Sequence, residues 1–240
     1  LGRRAGDQTG IHRVHDAQAQ AAGEFLARSP PPPAQLAGKG FSYELFNQYA
    51  PGSGSDTARK PVARVLAYRG TDFKGLSDIF FGTLRNDQIE LALRYFDAER
   101  ERLGNDLPWV VVGHSLGGAL ATEVSNAHPE VRAFLFNTSP FYRDEVRANA
   151  LRRTVFNERG EFLRRFARSS EPPAANVFTI NCEPRKGSIT KHKVRPLADC
   201  ITWIAAYASP DALAVVKANG ITKPYVECGS PEQPHPGPGV

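Results

Sequence analysis

The amino-acid sequence predicts an α/β fold, in which a mostly parallel central sheet carries helices on both faces and begins with an antiparallel hairpin. Strand-like apolar runs alternate with stretches of helical periodicity, which is typical of parallel sheets. Two earlier runs, residues 41–45 and 62–68, have strand character and are separated by turn-forming residues at 51–56. With 240 residues the chain is long enough to build such a sheet as one domain.

The elements after the hairpin are predicted in turn from their periodicity. Apolar residues recur at helical spacing between residues 89 and 96, and residues 109–112 then form a continuous apolar run like that of a buried parallel strand. A second helical pattern follows at 116–127. Residues 131–136 and 177–180 predict two further strands, with a polar, Arg-rich helical region between them.

Composition shifts divide the chain into three segments. Residues 1–38 are expected to be an N-terminal extension, with a helix at 12–28 and a Pro-rich spacer after it. Residues 39–228 form the main domain, whose last helix is expected to begin at Ser209. Residues 229–240 are dense in Pro and Gly and are predicted to be disordered.

Charge and hydropathy narrow the classes of partner. The net charge is +5 and the basic residues are mostly scattered, so no nucleic-acid partner is expected. One Arg cluster is predicted to gather on a helical segment and is a candidate for peripheral contact with an anionic membrane surface. The sequence does not set the oligomeric state. The cluster comprises Arg152, Arg153, Arg159, Arg164, Arg165 and Arg168.

Neither a membrane anchor nor a leader is predicted. No run of about eighteen apolar residues could span a bilayer, and the polar first twenty residues lack the apolar centre of a secretory signal. Because the chain opens on Leu and holds no Met, a removed leader, and with it secretion, stays open. The three cysteines, Cys182, Cys200 and Cys228, are odd in number and widely spaced, and they are interpreted as structural thiols.

The sequence places a candidate nucleophile, Ser115, between a predicted strand and a predicted helix. Residues 113–117 read Gly-His-Ser-Leu-Gly and fit the Gly-x-Ser-x-Gly pattern of a nucleophile elbow. Small residues at Gly113 and Gly117 let the chain reverse sharply, which presents the serine hydroxyl at a helix N-terminus. The neighbouring His114 is interpreted as a packing residue, because its side chain points away from the serine.

Residues 67–72 and 111–120 together resemble the class 3 lipases and related lipase-like α/β-hydrolases. The first segment, Ala-Tyr-Arg-Gly-Thr-Asp, is similar to the one that supplies part of that family's oxyanion hole, and Asp78 resembles the Asp that follows it. The resemblance implies that Thr71 and Leu116 donate backbone N–H groups to the oxyanion. It also implies a lid or an apolar substrate wall at 73–84.

A base and an acid are needed to activate the serine. His192, just before an apolar closing helix, is the candidate base, and His235 in the tail is the alternative. The resemblance implies an acid at the end of the strand before the base, which makes Glu183 the candidate acid. Asp144 and Asp199 are the alternatives for the acid.

The resemblance and the motif together predict a serine carboxylic-ester hydrolase acting on lipid or related acyl esters. An acyl-enzyme mechanism of this kind requires neither metal nor organic cofactor. A phospholipase, a thioesterase or an acyltransferase on the same scaffold is the alternative. A non-catalytic module that binds lipid or a partner through a relic of the fold is a further one.

Overall fold

In the computed structural model of the chain, the described residues are 26–28, 41–50, 60–70, 83–140, 142, 149–165, 174–225 and 227–228. Their strands form one eight-stranded sheet and follow one another across it in chain order. The strands are β1 (Leu26–Arg28), β2 (Tyr43–Gln48), β3 (Ala63–Tyr68), β4 (Trp109–His114), β5 (Arg132–Phe136), β6 (Arg153–Glu158), β7 (Asn176–Asn181) and β8 (Glu227–Cys228). The helices are α1 (Thr83–Leu103), α2 (Leu116–Ala127), α3 (Ser188–Lys191), α4 (Val194–Ala206) and α5 (Pro210–Ala218), and 3₁₀ turns lie at Ala150–Arg152 and Phe162–Arg165.

The sheet is parallel through its centre, from β3 to β7, and antiparallel at both ends. The predicted hairpin is confirmed, because β2 and β3 pair antiparallel with Tyr43 opposite Tyr68. Since parallel strands end at the same edge of a sheet, the loops after β4, β5, β6 and β7 meet there. In open α/β sheets this edge is where functional groups collect.

Helices cover both faces of the sheet. The helices α1 and α2 pack on the face that presents Leu66, Val111 and Leu135, whereas α4 packs on the opposite face against Phe136 and Ile180. Successive residues of a strand point to opposite faces, so Leu135 and Phe136 belong to different cores. The predicted fold class, an α/β fold with a mostly parallel sheet, helices on both faces and an antiparallel hairpin, is therefore confirmed.

The apolar stripe predicted on α1 faces the sheet, with Ile89, Ala92 and Phe96 fully buried. The hydroxyl of Tyr68, at the end of β3, donates to the Ala92 carbonyl at 3.1 Å and fixes the helix along the sheet. The opposite side of α1 is polar, as an amphipathic surface helix requires. Among the described helices, none combines the length and the apolar character needed to cross a membrane.

Strand β6 corrects the helical region predicted between 136 and 177. Thr154, Val155 and Phe156 form a short β-rich run, and the structure pairs it with β5 and β7. Arg153 is fully buried and its guanidinium contacts the Asn149 side chain and Ser125 Oγ, the latter at 3.3 Å. Arg153 is therefore a strand residue and not part of a helical arginine cluster, and its buried side chain is not available to a membrane surface.

The N-terminal strand β1 corrects the helix predicted for 12–28 over its last residues. Leu26 pairs with Gln48 of β2, so the sheet includes a segment that precedes the expected domain start at residue 39. The remainder of that helix and the tail at 229–240 lie outside the described residues. The last helix begins as predicted, with Ser209 Oγ accepting the Ala212 N–H at 3.3 Å.

A disulfide joins Cys182, at the end of β7, to Cys200 in α4. The interpretation of these two residues as thiols is therefore wrong. Eighteen positions separate them in the sequence, but α4 packs back against the sheet beside β7 and brings them together. In the chain-entropy account, closing a loop of this length stabilises a fold by about 3 kcal/mol. The enclosed loop contains His192.

Candidate active site

The turn between β4 and α2 holds Ser115 in a backbone conformation that non-glycine residues rarely adopt. Its φ is 57° and its ψ is −123°, a strained geometry of the kind that persists where the surrounding structure enforces it. A Cβ at Gly113 would overlap the Gly117 carbonyl, and one at Gly117 would overlap the Tyr68 carbonyl. The predicted role of both glycines in letting the chain reverse is confirmed.

Main-chain hydrogen bonds fix this turn against the end of β5. The Ser115 N–H donates to the Phe136 carbonyl at 3.1 Å. The Ser115 carbonyl in turn accepts from the N–H groups of Gly118 and Ser139, each at 3.0 Å. Ser115 itself is buried, with 4% of its surface exposed. The nucleophile candidate is thus anchored on both sides of its strained residue.

His192 lies between α3 and α4 and reaches the serine. Its Nε2 is 2.9 Å from Ser115 Oγ, so the structure brings the predicted nucleophile and base into hydrogen-bond contact. The edge of the Phe162 ring meets the imidazole, with centroids 4.6 Å apart. His192 is 1% exposed, so its ring nitrogens depend on protein groups for their partners.

The carboxylate beside His192 belongs to Glu161. Its Oε2 lies 2.7 Å from His192 Nδ1 and also accepts the Leu163 N–H at 2.9 Å, while its Oε1 accepts the Arg164 N–H at 2.8 Å. Glu161 is fully buried. When Nδ1 carries the imidazole proton, it donates a hydrogen bond to Glu161. In that tautomer Nε2 accepts a hydrogen bond from the Ser115 hydroxyl.

The structure therefore corrects the choice of Glu183 as the carboxylate that contacts the base. Glu183 lies beyond β7, where its main-chain N–H donates to Glu158 Oε1 at 3.1 Å and its side chain borders a surface groove with Arg185 and Tyr225. Asp199 is not the partner either, since both its oxygens accept from Arg195 Nε at 2.7 Å. Asp144 lies outside the described residues.

Sequence reasoning missed Glu161 because it missed β6. The β-rich run at 154–156 is followed by Asn157-Glu158-Arg159-Gly160, which is turn chemistry, and Gly160 adopts a φ of 76°. A strand followed by a turn places the next carboxylate at the edge of the sheet where the other strand ends meet. Read as a strand and a turn, this stretch would have pointed to Glu161.

The predicted oxyanion donors are only partly within the described residues. Leu116 is the first residue of α2, where backbone N–H groups have no acceptor within the helix and the helix dipole favours negative charge. Thr71, Asp78 and the alternative base His235 lie outside the described part of the chain. Among the described side chains, no group of three or more His, Cys, Asp or Glu residues could hold a metal ion.

His114 is the last residue of β4, and its side chain contacts the main chain of His192. Its Nε2 lies 2.6 Å from the His192 carbonyl oxygen, and the two rings are 4.8 Å apart. Burial lowers the pKa of His114 to about 4, and the neighbouring His192 adds to that shift. The imidazole is therefore neutral at pH 7 and donates its Nε2–H to that carbonyl.

The depressed pKa of His114 predicts a specific loss of stability in acid. The unfolded chain binds this proton near pH 6.5 and the folded one near pH 4. The contribution is therefore complete above pH 6.5 and is lost as the pH falls towards 4. Between pH 7 and pH 4.5, urea unfolding of the wild type should lose about 2 kcal/mol more than that of His114→Gln, which cannot titrate. Equal losses in both proteins would contradict the assigned pKa.

Comparisons with known proteins are limited to the fold. No family model matches the chain and no curated protein matches it. A lipase from Rhizopus microsporus var. chinensis aligns at 11% identity and a TM-score of 0.39, over 65% of this chain and 69% of the lipase chain. The native Rhizomucor miehei lipase propeptide complex aligns at 12% identity and a TM-score of 0.43. The alignment covers 81% of this chain and 79% of the chain in that complex. The described strands form one mostly parallel α/β sheet. Its function has to follow from the site itself.

Proposed function

We propose that this chain is a serine hydrolase that cleaves carboxylic esters, with Ser115 as nucleophile, His192 as general base and Glu161 as the acid that orients the base. The observation that carries the proposal is the buried hydrogen-bond chain from Ser115 Oγ through His192 to Glu161, at 2.9 and 2.7 Å. A serine hydroxyl is a weak nucleophile until a neighbouring base takes its proton. In this proposal His192 is that base, and Glu161 favours the tautomer in which Nδ1 carries the proton.

The reaction follows from this geometry. His192 Nε2 accepts the Ser115 proton as Oγ attacks the ester carbonyl, and the imidazolium that forms is stabilised by the Glu161 carboxylate. The N–H of Leu116, at the N-terminus of α2, stabilises the oxyanion, and the resemblance to class 3 lipases assigns the same role to the N–H of Thr71. The imidazolium protonates the leaving alcohol and leaves an acyl-serine. Water, deprotonated by His192, then releases the carboxylic acid and restores the serine.

The alternative function, a non-catalytic module that binds lipid or a partner, has little support in the geometry of the site. A relic need not keep an acid beside its base, whereas Glu161 supplies a buried carboxylate in contact with His192. Burying a carboxylate is expensive, and here it is offset by two main-chain donors and the imidazole. Such an arrangement is typical of sites whose function requires a charge at a fixed point.

A fluorophosphonate probe tests the proposal directly. It reacts with a serine that a neighbouring base has activated and leaves other serines intact, so wild-type protein should be labelled at Ser115, located by peptide mass spectrometry. Heat-unfolded protein is the control, because unfolding separates Ser115 from His192. A folded wild-type protein that takes up no label would contradict the proposed function.

The substrate class within acyl chemistry is a separate step. We propose lipid or related acyl esters, in line with the resemblance to class 3 lipases. Comparing kcat/KM for p-nitrophenyl esters of increasing chain length, a phospholipid and an acyl thioester measures the preference. A preference for long-chain esters supports a lipase-like enzyme, whereas a preference for the phospholipid or the thioester supports those alternatives.

A further inference from the structure

The main chain around His192 is held by polar side chains from the ends of the central strands. Asn137, just after β5, donates from Nδ2 to the Lys191 carbonyl at 3.1 Å, and its Oδ1 accepts the Glu158 N–H at 2.7 Å. Its φ of 40° is in the left-handed region, which asparagine tolerates better than most residues. The residue before the base is thus tied to β5 and to β6.

Lys191, the neighbour of His192, is buried and makes three polar contacts through its side chain. Its side chain is 9% exposed, although lysine is rarely buried. The Nζ atom donates to the Arg159 carbonyl at 2.8 Å and to Asn181 Oδ1 at 2.9 Å, and it lies 3.8 Å from Glu158 Oε1. Two of the contacts are hydrogen bonds, and the third is an ion pair at a longer distance.

Glu158 completes the network on the other side. Its carboxylate accepts the main-chain N–H groups of Cys182 at 2.9 Å and Glu183 at 3.1 Å, in addition to its contact with Lys191. Burial raises the pKa of Glu158, while these two N–H donors and Lys191 oppose that shift. The pair therefore connects the end of β6, the end of β7 and the loop that carries the base.

Lys191 links the two chain segments that carry the members of the proposed dyad, the acid Glu161 and the base His192. Lys191 is one residue before His192, and the carbonyl that it holds belongs to Arg159, two residues before Glu161. Both the acid and the base lie outside regular helices and strands, so their separation is not set by the backbone of either element. The Lys191 side chain bridges the two loops directly.

We propose that Lys191 is a positioning residue, which sets the distance between His192 Nδ1 and the Glu161 carboxylate by clamping their two loops together. This inference rests on the proposed function of the site. A buried lysine–glutamate pair costs desolvation energy, and a well-packed apolar pair of similar size is often as stable. The network is thus better explained by the geometry that it fixes than by the stability that it adds.

Lys191→Met is the decisive variant, because methionine keeps much of the volume and removes all three donors. We expect kcat for ester hydrolysis to fall about 100-fold, since a displacement of 1 Å in a catalytic group can cost that much. KM should change little, because in this proposal Lys191 acts on the two loops and not on the substrate. The matched control is Lys193→Met, on the other side of His192, whose side chain is exposed and which should keep wild-type kcat.

A spectroscopic readout separates positioning from general destabilisation. The Nδ1 proton of His192, held between a buried imidazole and a carboxylate, should give a strongly downfield proton resonance that is absent in Glu161→Gln. In folded Lys191→Met this resonance should move upfield or disappear, and in Lys193→Met it should stay. If Lys191→Met folds with an unchanged resonance and a kcat within about threefold of wild type, Lys191 does not position the dyad.

Asn181 provides a second pair of variants that perturbs the clamp more gently. Asn181→Leu removes an acceptor of the Lys191 Nζ hydrogen bond and should lower kcat. Asn181→Asp keeps an acceptor at that position and should have a kcat close to wild type. If Lys191→Met does not fold, equal kcat in these two variants overturns the proposal. The resonance can be read without turnover. Suppose the variants show the expected resonance changes but the wild-type protein does not react with the fluorophosphonate. The proposed function would then be wrong, while the positioning role of Lys191 would stand.

Discussion

Ser115→Ala is expected to lower kcat for ester hydrolysis by about 10⁴-fold or more, with little effect on the fold. Without Oγ no acyl-enzyme can form, and the base and oxyanion donors alone give only weak catalysis of direct attack by water. The backbone strain at Ser115 is held by main-chain contacts to Phe136 and Ser139, which alanine keeps. Measuring p-nitrophenyl ester turnover together with the thermal unfolding midpoint separates loss of chemistry from loss of structure.

Ser42→Ala is the matched control for this measurement. Ser42 lies just before β2, and its main-chain carbonyl accepts the Arg69 N–H. The control should keep wild-type turnover. Turnover by Ser115→Ala above about a hundredth of wild type would mean that another group is the nucleophile.

Glu161→Gln is expected to lower kcat by about 10³–10⁴-fold, because a neutral amide neither stabilises the imidazolium nor fixes its tautomer. Glutamine also turns an NH₂ group towards the Leu163 or Arg164 N–H, which leaves a buried donor unsatisfied. A stability loss of about 1–3 kcal/mol should therefore accompany the lost activity. Unfolding curves at the assay temperature establish whether the variant is still folded where turnover is measured.

Two control variants make this experiment a choice between acids. Glu183→Gln should be close to wild type, because its carboxylate lies beside the surface groove and away from His192. Asp199→Asn removes a surface ion pair with Arg195, worth about 0–1 kcal/mol, and should be similarly mild. A crippled Glu183→Gln alongside an active Glu161→Gln would reinstate Glu183 as the acid.

Local patterns in the sequence were sufficient for most of the elements that build the site. The hairpin, α1, β4, α2, β5, β7, α4 and α5 each carry a clear periodicity or turn signal, because a strand or helix with one buried face repeats its apolar residues at a fixed interval. The elbow was also readable, since a serine between small residues, after a buried strand and before a helix, leaves few conformations open. These features depend on neighbours in the chain.

The failures share a different origin. Strand β6 has only three β-rich residues, and its flanking arginines favour a helical interpretation until one of them, Arg153, is seen to be buried. Cys182 and Cys200 are far apart by spacing, and only the packing of α4 on the sheet brings their side chains together. Both cases depend on which segments become neighbours across the sheet.

The sequence by itself determined the α/β architecture, the strained turn at Ser115 and the loop that carries His192. Only the tertiary structure decided which carboxylate meets the base, and it selected Glu161, 31 positions before His192, over Glu183, nine positions before it. Hydrogen bonding acts over about 3 Å in space whatever the separation in sequence. The choice therefore depended on where the parallel strands β6 and β7 end in space.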